Sequence, residues 1–171
     1  MRWIILIVGL TTATNLFAYY TFEGGLLADT GTSVVVGLVA HFPQSKMLTL
    51  NGDFHYAYGS YKRGRVPVDI SHHLFIPGVN MSVYFLKGRI ESVEPYITLG
   101  GGAVLGIVSE DKEGVESETR FDPGGLVKID FGCDFPIDAG VMPFVELGAW
   151  VIVDIIDSTD GNFSLVAGIR F

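Results

Sequence analysis

The sequence predicts an all-β fold, an eight-stranded antiparallel up-and-down transmembrane β-barrel. Three observations predict it. Eight segments alternate apolar and polar residues with the period of two that a strand imposes. The apolar face of these segments carries no Asp, Glu, Lys or Arg. Short and long connections alternate between the segments.

Composition narrows the alternatives first. The chain has 171 residues, 49% of them hydrophobic, 12% aromatic and only 18% charged. That is too aromatic for a disordered chain. A single cysteine, Cys133, excludes a disulfide scaffold. No apolar run reaches the roughly 20 residues of a spanning helix. A formal charge of -8 with 11 Lys and Arg argues against a nucleic-acid partner, because phosphate binding needs clustered cations.

Residues 1–18 read as a secretory signal peptide. Met1-Arg2 is a positive start, residues 3–10 are apolar, and a small polar stretch leads to Ala18. Cleavage after Ala18 leaves a barrel of residues 19–171. The apolar run is too short for an anchor. Export agrees with Cys133 standing alone.

The strands follow in order. In residues 19–28, Tyr20, Phe22, Leu26 and Ala28 oppose Thr21, Glu23 and Gly25. Residues 33–42 are the least clean, because Val35 and Val39 fall on the polar side. In residues 48–58, Leu48, Leu50, Phe54, Tyr56 and Tyr58 oppose Thr49, Asn51, Asp53 and His55. In residues 78–86, Val79, Met81, Val83 and Phe85 oppose Asn80, Ser82 and Tyr84. In residues 94–107, Ile97, Leu99, Ala103, Leu105 and Ile107 oppose Tyr96, Thr98 and three glycines. In residues 125–135, Val127, Ile129, Phe131, Cys133 and Phe135 oppose Lys128, Asp130, Gly132 and Asp134, with Leu126 among them. In residues 145–154, Val145, Leu147, Ala149, Val151 and Val153 oppose Glu146, Gly148, Trp150 and Asp154. In residues 162–171, Phe163, Leu165, Ala167, Ile169 and Phe171 oppose Ser164, Gly168 and Arg170. Segments of about ten residues match a tilted strand crossing a bilayer. The polar faces are rich in glycine, hydroxyl and amide, which suits a narrow filled lumen better than a wet sandwich face.

Residues 43–46, 87–93 and 136–141 are short connections, whereas 61–73 and 109–121 are long and charged. Short turns on one side and long loops on the other is the outer-membrane pattern. Aromatics cluster at both ends: Tyr20, Phe42, Phe85, Tyr96, Phe135, Phe144 and Phe171 by the turns, and Tyr58, Phe75, Phe121, Trp150 and Phe163 by the loops. Two such belts are what amphipathic rings prefer at membrane interfaces.

With residues 166–171 (VAGIRF) and 95–102 (PYITLGGG), the mature chain resembles the small OmpA/OmpX-like outer-membrane β-barrel family along its whole length. The resemblance implies a Gram-negative outer-membrane location. It also implies recognition of the last strand by the assembly machinery, with Phe163, Ile169 and Phe171 as the signal. No second, peptidoglycan-binding domain is expected.

The lumen face should carry Glu23, Asp53, His55, Lys128, Asp130, Asp134, Glu146 and Arg170. Charges in so narrow an interior must pair. Lys128 with Asp130 or Asp53, and Arg170 with Glu146 or Glu23, are the expected pairs. Gly100-Gly101-Gly102 should let a large neighbour such as Tyr84 lie across the lumen, or allow a sharp bend. Lys62, Arg63 and Arg65 form a basic cluster placed to meet lipid headgroup phosphates.

Asp69, Ser71 and His73 alternate and would share one face. Lipid A deacylases are also eight-stranded barrels with a Ser, a His and an acid on the outer wall, but their His-x-Ser order is absent here. Pro77-Gly78 is expected to break the fourth strand below this site. His41, His55 and His72 have no metal-ligand spacing, so neither metal nor cofactor is expected. The reading is a non-enzymatic, monomeric outer-membrane protein with a structural or surface-interaction role and a plugged lumen. Its partners are outer-membrane lipid, lipopolysaccharide and the assembly machinery, without nucleic acid. The alternatives are a lipid A-modifying hydrolase using Asp69, Ser71 and His73, and a small-solute, porin-like channel.

Overall fold

The computed structural model describes residues 19–28, 32–63, 68–85, 93–111, 117–137, 140–154 and 159–171, with the backbone alone for 61–63, 154, 159 and 160. The expected signal segment lies outside the described residues. Eight strands form one closed barrel in sequence order. They are β1 (Tyr19–Ala28), β2 (Thr32–Pro43), β3 (Leu48–Arg63), β4 (Val68–Tyr84), β5 (Glu94–Asp111), β6 (Glu118–Asp134), β7 (Met142–Asp154) and β8 (Thr159–Arg170). Every neighbouring pair is antiparallel, and β1 closes against β8 from Thr21↔Arg170 to Ala28↔Phe163. Phe171 extends that seam by exchanging two backbone hydrogen bonds with Tyr20, at 2.9 and 3.0 Å.

The alternation sorts the side chains inside out. Leu147 is 61% exposed and Phe163 73%, while Asp134 is 0% and Arg170 3% exposed. In water this arrangement would be unfavourable, since large apolar groups belong inside and charges outside. Acyl chains reverse the preference, and closure leaves no backbone donor or acceptor unpaired at a sheet edge.

Three expectations need correction. Residues 61–73 and 109–121 are mostly wall: β3 and β4 pair as far as Arg63↔Val68, and β5 and β6 as far as Glu110↔Glu118. Only 64–67 and 112–117 separate these strands, so the contrast of short turns and long loops is absent. The charged composition conceals a continuing alternation, in which Ile70 still points inward, 3% exposed. Pro77 does not break β4. It pairs with Phe54 on β3, and pairing with β5 lapses between Phe75↔Leu105 and Gly78↔Gly102. A strand tolerates proline where its missing N–H is not needed. Finally, Tyr96, Phe144 and Trp150 leave the aromatic belts and lie buried in the lumen, while Tyr20, Phe85, Phe135 and Phe171 at one end, and Tyr58, Phe121 and Phe163 at the other, remain exposed.

If the outer face meets acyl chains, Ile129→Arg should destabilise the barrel by about 2–4 kcal/mol, as for a cation near the bilayer midplane. Urea titration of folding into lipid vesicles measures this. An unchanged folding free energy would show that Ile129 does not face lipid.

Candidate functional site in the barrel lumen

The lumen is narrow because eight strands leave room only for side chains. The eight titratable residues expected there all point inward, and the strand register assembles them into connected groups. Towards the end that carries the 44–47, 85–93 and 135–141 connections, Arg170 of β8 is a hub. Its Nη1 donates to Asp134 Oδ2 at 2.6 Å and to Tyr84 Oη at 2.5 Å, and its Nη2 donates to Tyr96 Oη at 2.7 Å. Tyr84 donates in turn to Asp134 at 3.0 Å, and Tyr96 donates to Glu146 Oε1 at 2.7 Å. Glu146 is a second ionic partner of Arg170, at 3.7 Å. The guanidinium also lies over the rings of Tyr96 and Phe144, 4.7 and 4.6 Å from their centroids. Arg170 therefore ties β4, β5, β6 and β7 to β8. Its principal ionic partner is Asp134, and Glu23, the other candidate, pairs instead with His55.

At the same end, a chain of polar side chains bridges five consecutive strands. Thr21 Oγ1 is 2.6 Å from His41 Nε2, His41 Nδ1 is 2.9 Å from Asn51 Oδ1, Asn51 Nδ2 donates to Ser82 at 2.7 Å, and Ser82 meets Thr98 at 2.8 Å. Tyr19 stacks on His41 with centroids 4.4 Å apart.

Deeper in the lumen, Lys128 Nζ donates to Asp53 Oδ2 at 2.9 Å, and Asn80 Nδ2 donates to the same oxygen at 2.6 Å. His55 joins Glu23 through Nε2, with Nδ1 3.4 Å from Asp53. Asp130 does not pair closely with Lys128. It accepts from Trp150 Nε1 at 2.9 Å and from Ser164 Oγ at 3.0 Å. A cavity of about 20 Å³ remains between Glu23, Lys128, Glu146, Arg170 and Asn80, room for about one water molecule.

Towards the opposite end the lumen becomes apolar. Leu27 of β1, Val35 of β2, Ala57 of β3 and Ile76 of β4 form one cluster with Val104 of β5, Leu126 of β6, Trp150 of β7 and Val166 of β8. Each strand supplies one of these eight side chains, and none is more than 4% exposed. The register sets Val35 opposite Ala57 and Leu126 opposite Ile152. This ring was not expected from the sequence, where Val35 and Leu126 look like defects in a polar face. The signal that could have found it is one apolar residue on the polar face of each strand. The neutral donors Tyr84, Tyr96, Trp150, Asn80 and Ser164 also share the parity of the charged residues.

Glycines make room for these groups. A Cβ at Gly132 would strike the ring of Tyr96, and one at Gly100 would strike the side chain of Asn80. The neighbour lying across Gly100 is therefore Asn80, and Tyr84 packs against Tyr96 instead, with centroids 5.1 Å apart.

Asp69, Ser71 and His73 lie on the outer wall of the tall β3–β4 pair, Asp69 exposed and the other two half-buried. Ser71 stands opposite Ser60 and Ser109. His73 Nδ1 is engaged by Tyr56 Oη at 2.7 Å, and its ring packs against Tyr58. Of the basic cluster, Lys62 and Arg63 lie on β3 with side chains outside the described residues, as Arg65 is entirely; Lys62 is in register with Asp69. Phe163, Ile169 and Phe171 are exposed along the outer face. No cluster of three metal-ligating side chains occurs among the described residues.

No protein-family model matches the sequence, and no curated protein matches it either. Solved structures do. Neisserial surface protein A (NspA) aligns over 90% of this chain and 94% of its own, with a TM-score of 0.60 at 15% identity. Ail, the attachment invasion locus protein of Yersinia pestis, aligns over 90% and 97%, with a TM-score of 0.55 at 16% identity. The outer membrane enzyme PagL aligns over 89% and 98%, with a TM-score of 0.53 at 15% identity. The chain has the fold of the small eight-stranded outer-membrane barrels.

Lys128→Met should destabilise the barrel by about 3–5 kcal/mol, because Asp53 would stay buried without its cation. Adding Asp53→Asn should recover part of that loss. Urea unfolding in lipid vesicles compares the two, and an equal loss in both would show that the ion pair is not the element at stake.

Proposed function

We propose that this chain is a non-enzymatic outer-membrane protein of the bacterial envelope, with a structural or surface-interaction role and a lumen plugged by its own side chains. The observation that carries the reading is that side chains fill the lumen: the Arg170 hub joins five strands across its polar part beside a cavity of only about 20 Å³, and one apolar side chain from each strand meets in the ring. A channel needs a continuous wet path, and side chains occupy that space. The names of two similar structures support a surface role: NspA is a surface protein, and Ail an attachment invasion protein.

The PagL likeness raises the enzymatic alternative. A serine nucleophile needs a base within hydrogen-bond reach, and His73 is committed to Tyr56 rather than to Ser71. The non-enzymatic reading therefore stands ahead. Mass spectrometry of lipid A from cells with and without the protein should give identical acyl patterns. Loss of an acyl chain that depends on Ser71 would establish the hydrolase instead.

Two parts of the reading concern partners. Phe163, Ile169 and Phe171 form the outward aromatic and aliphatic row offered to the assembly machinery. The backbone of Phe171 also holds the closing seam, so Phe171→Ala separates the two roles. Refolding of the purified variant from urea should match the wild type, while its folded fraction in outer membranes falls. Equal assembly in cells would remove Phe171 from the signal. Lys62, Arg63 and Arg65 are assigned to the phosphates of lipopolysaccharide headgroups. Changing all three to Ser should lower the lipopolysaccharide that co-purifies with the barrel, most clearly at low salt, where exposed charges are least screened. Unchanged co-purification would leave them as ordinary solvated charges.

A further inference from the structure

We propose that the apolar ring, acting as a dry septum, is what stops ions in this barrel, and that the ionic network below it fills the lumen and braces the wall without being the barrier to them. The proposal rests on the reading of a non-conducting lumen and assigns that property to particular side chains.

The eight titratable residues of the network all lie on the same side of the ring. Along β1 Glu23 precedes Leu27, and along β3 Asp53 and His55 precede Ala57. On β6 Lys128, Asp130 and Asp134 follow Leu126, on β7 Glu146 precedes Trp150, and on β8 Arg170 follows Val166. The lumen is thus polar from the turn end to its middle and apolar at the ring, and beyond the ring inward positions include polar groups again, with Ser33 Oγ 2.8 Å from His72 Nε2 and Arg120 3.5 Å from Asp122. The water-sized cavity belongs to the polar part, between Glu23, Glu146, Lys128 and Arg170.

The two parts oppose an ion differently. In the polar part, a partly dehydrated ion meets carboxylates, a cation, hydroxyls and amides that can exchange partners with it. In the ring, Leu27, Val35, Ala57, Ile76, Val104 and Leu126 offer no group to replace lost hydration. Hydrophobic constrictions exclude ions by dewetting, and an unpaired charge in an apolar setting is strongly disfavoured.

Trp150 joins the parts. Its ring packs in the septum, its Nε1–H donates to Asp130 at 2.9 Å, Lys128 Nζ lies 4.9 Å from its centroid, and His55 meets it edge-on at 5.2 Å. The network therefore positions the bulkiest member of the septum across the lumen.

Single-channel recording in planar bilayers with potassium chloride tests this on the purified full-length barrel, with folding of each variant verified by heat-dependent gel migration. The wild type should be silent. Trp150→Ala with Leu126→Ala should gain discrete current steps. Val35→Thr with Val104→Thr should gain them too, since it keeps the shape while making the ring wettable, and it carries the test should the alanine pair fail to fold. Asp53→Asn with Lys128→Met should stay silent. A silent wild type with folded but silent septum variants overturns the septum and leaves the plugged-lumen reading intact. Current steps in the charge-neutralised variant move the barrier to the network and equally overturn it. A conducting wild type overturns the plugged-lumen reading and the septum together.

Discussion

Closure of the sheet is the constraint on which the rest depends. A sheet surrounded by hydrocarbon cannot leave an edge of unpaired N–H and C=O groups. The β1–β8 seam removes that edge, running from Ala28↔Phe163 to Thr21↔Arg170 and on through the Tyr20–Phe171 bonds. Once eight strands close, the interior width follows, and it admits side chains and little more. Every inward position must then be filled to fit. Gly132 is small because the ring of Tyr96 lies over it, and Gly100 because Asn80 does. A larger residue at either place would have to displace a group that is hydrogen-bonded across the barrel.

Filling a closed lumen with charge raises a second problem, because burial costs each ion several kcal/mol unless a partner replaces its hydration. The network named above sets the carboxyl groups of Glu23, Asp53, Asp130, Asp134 and Glu146 beside Lys128, Arg170 and His55. Neutral donors bond the carboxyl oxygens: Asn80 serves Asp53, Tyr84 serves Asp134, Tyr96 serves Glu146, and Trp150 with Ser164 serves Asp130. Each of these donors comes from a different strand than its carboxyl group, so these bonds also cross-link the wall.

The eight strands and their two faces were legible in the sequence because a period of two is a local property. Val127, Ile129, Val145 and Leu147 need only their immediate neighbours to be placed outward. What was hidden depends on distant partners. Arg170 and Asp134 are set by β8 and β6 facing one another across the lumen, which no spacing encodes. Strand ends were hidden because composition and alternation disagree there: residues 61–73 look like a loop by charge and behave as wall by pairing. Tyr96, Phe144 and Trp150 were ambiguous for a different reason. An aromatic ring suits a membrane interface and equally suits a lumen that must be filled, and parity decides between the two.

The apolar ring shows how the same parity carries two chemistries along one lumen. Hydrophobic side chains there face inward and must pack on one another, and one residue from each strand suffices to meet across so narrow a barrel. Charges can sit beside this ring only where their hydration is replaced, and Trp150 makes that boundary possible by offering carbon to the ring and an N–H to Asp130. A wholly ionic lumen would need a partner for every charge at every height. A wholly apolar one would forgo the cross-links through which Arg170 and Lys128 fix the strands. Dividing the interior lets the polar part hold the wall together while the apolar ring excludes water, and the indole ties the position of one to the other.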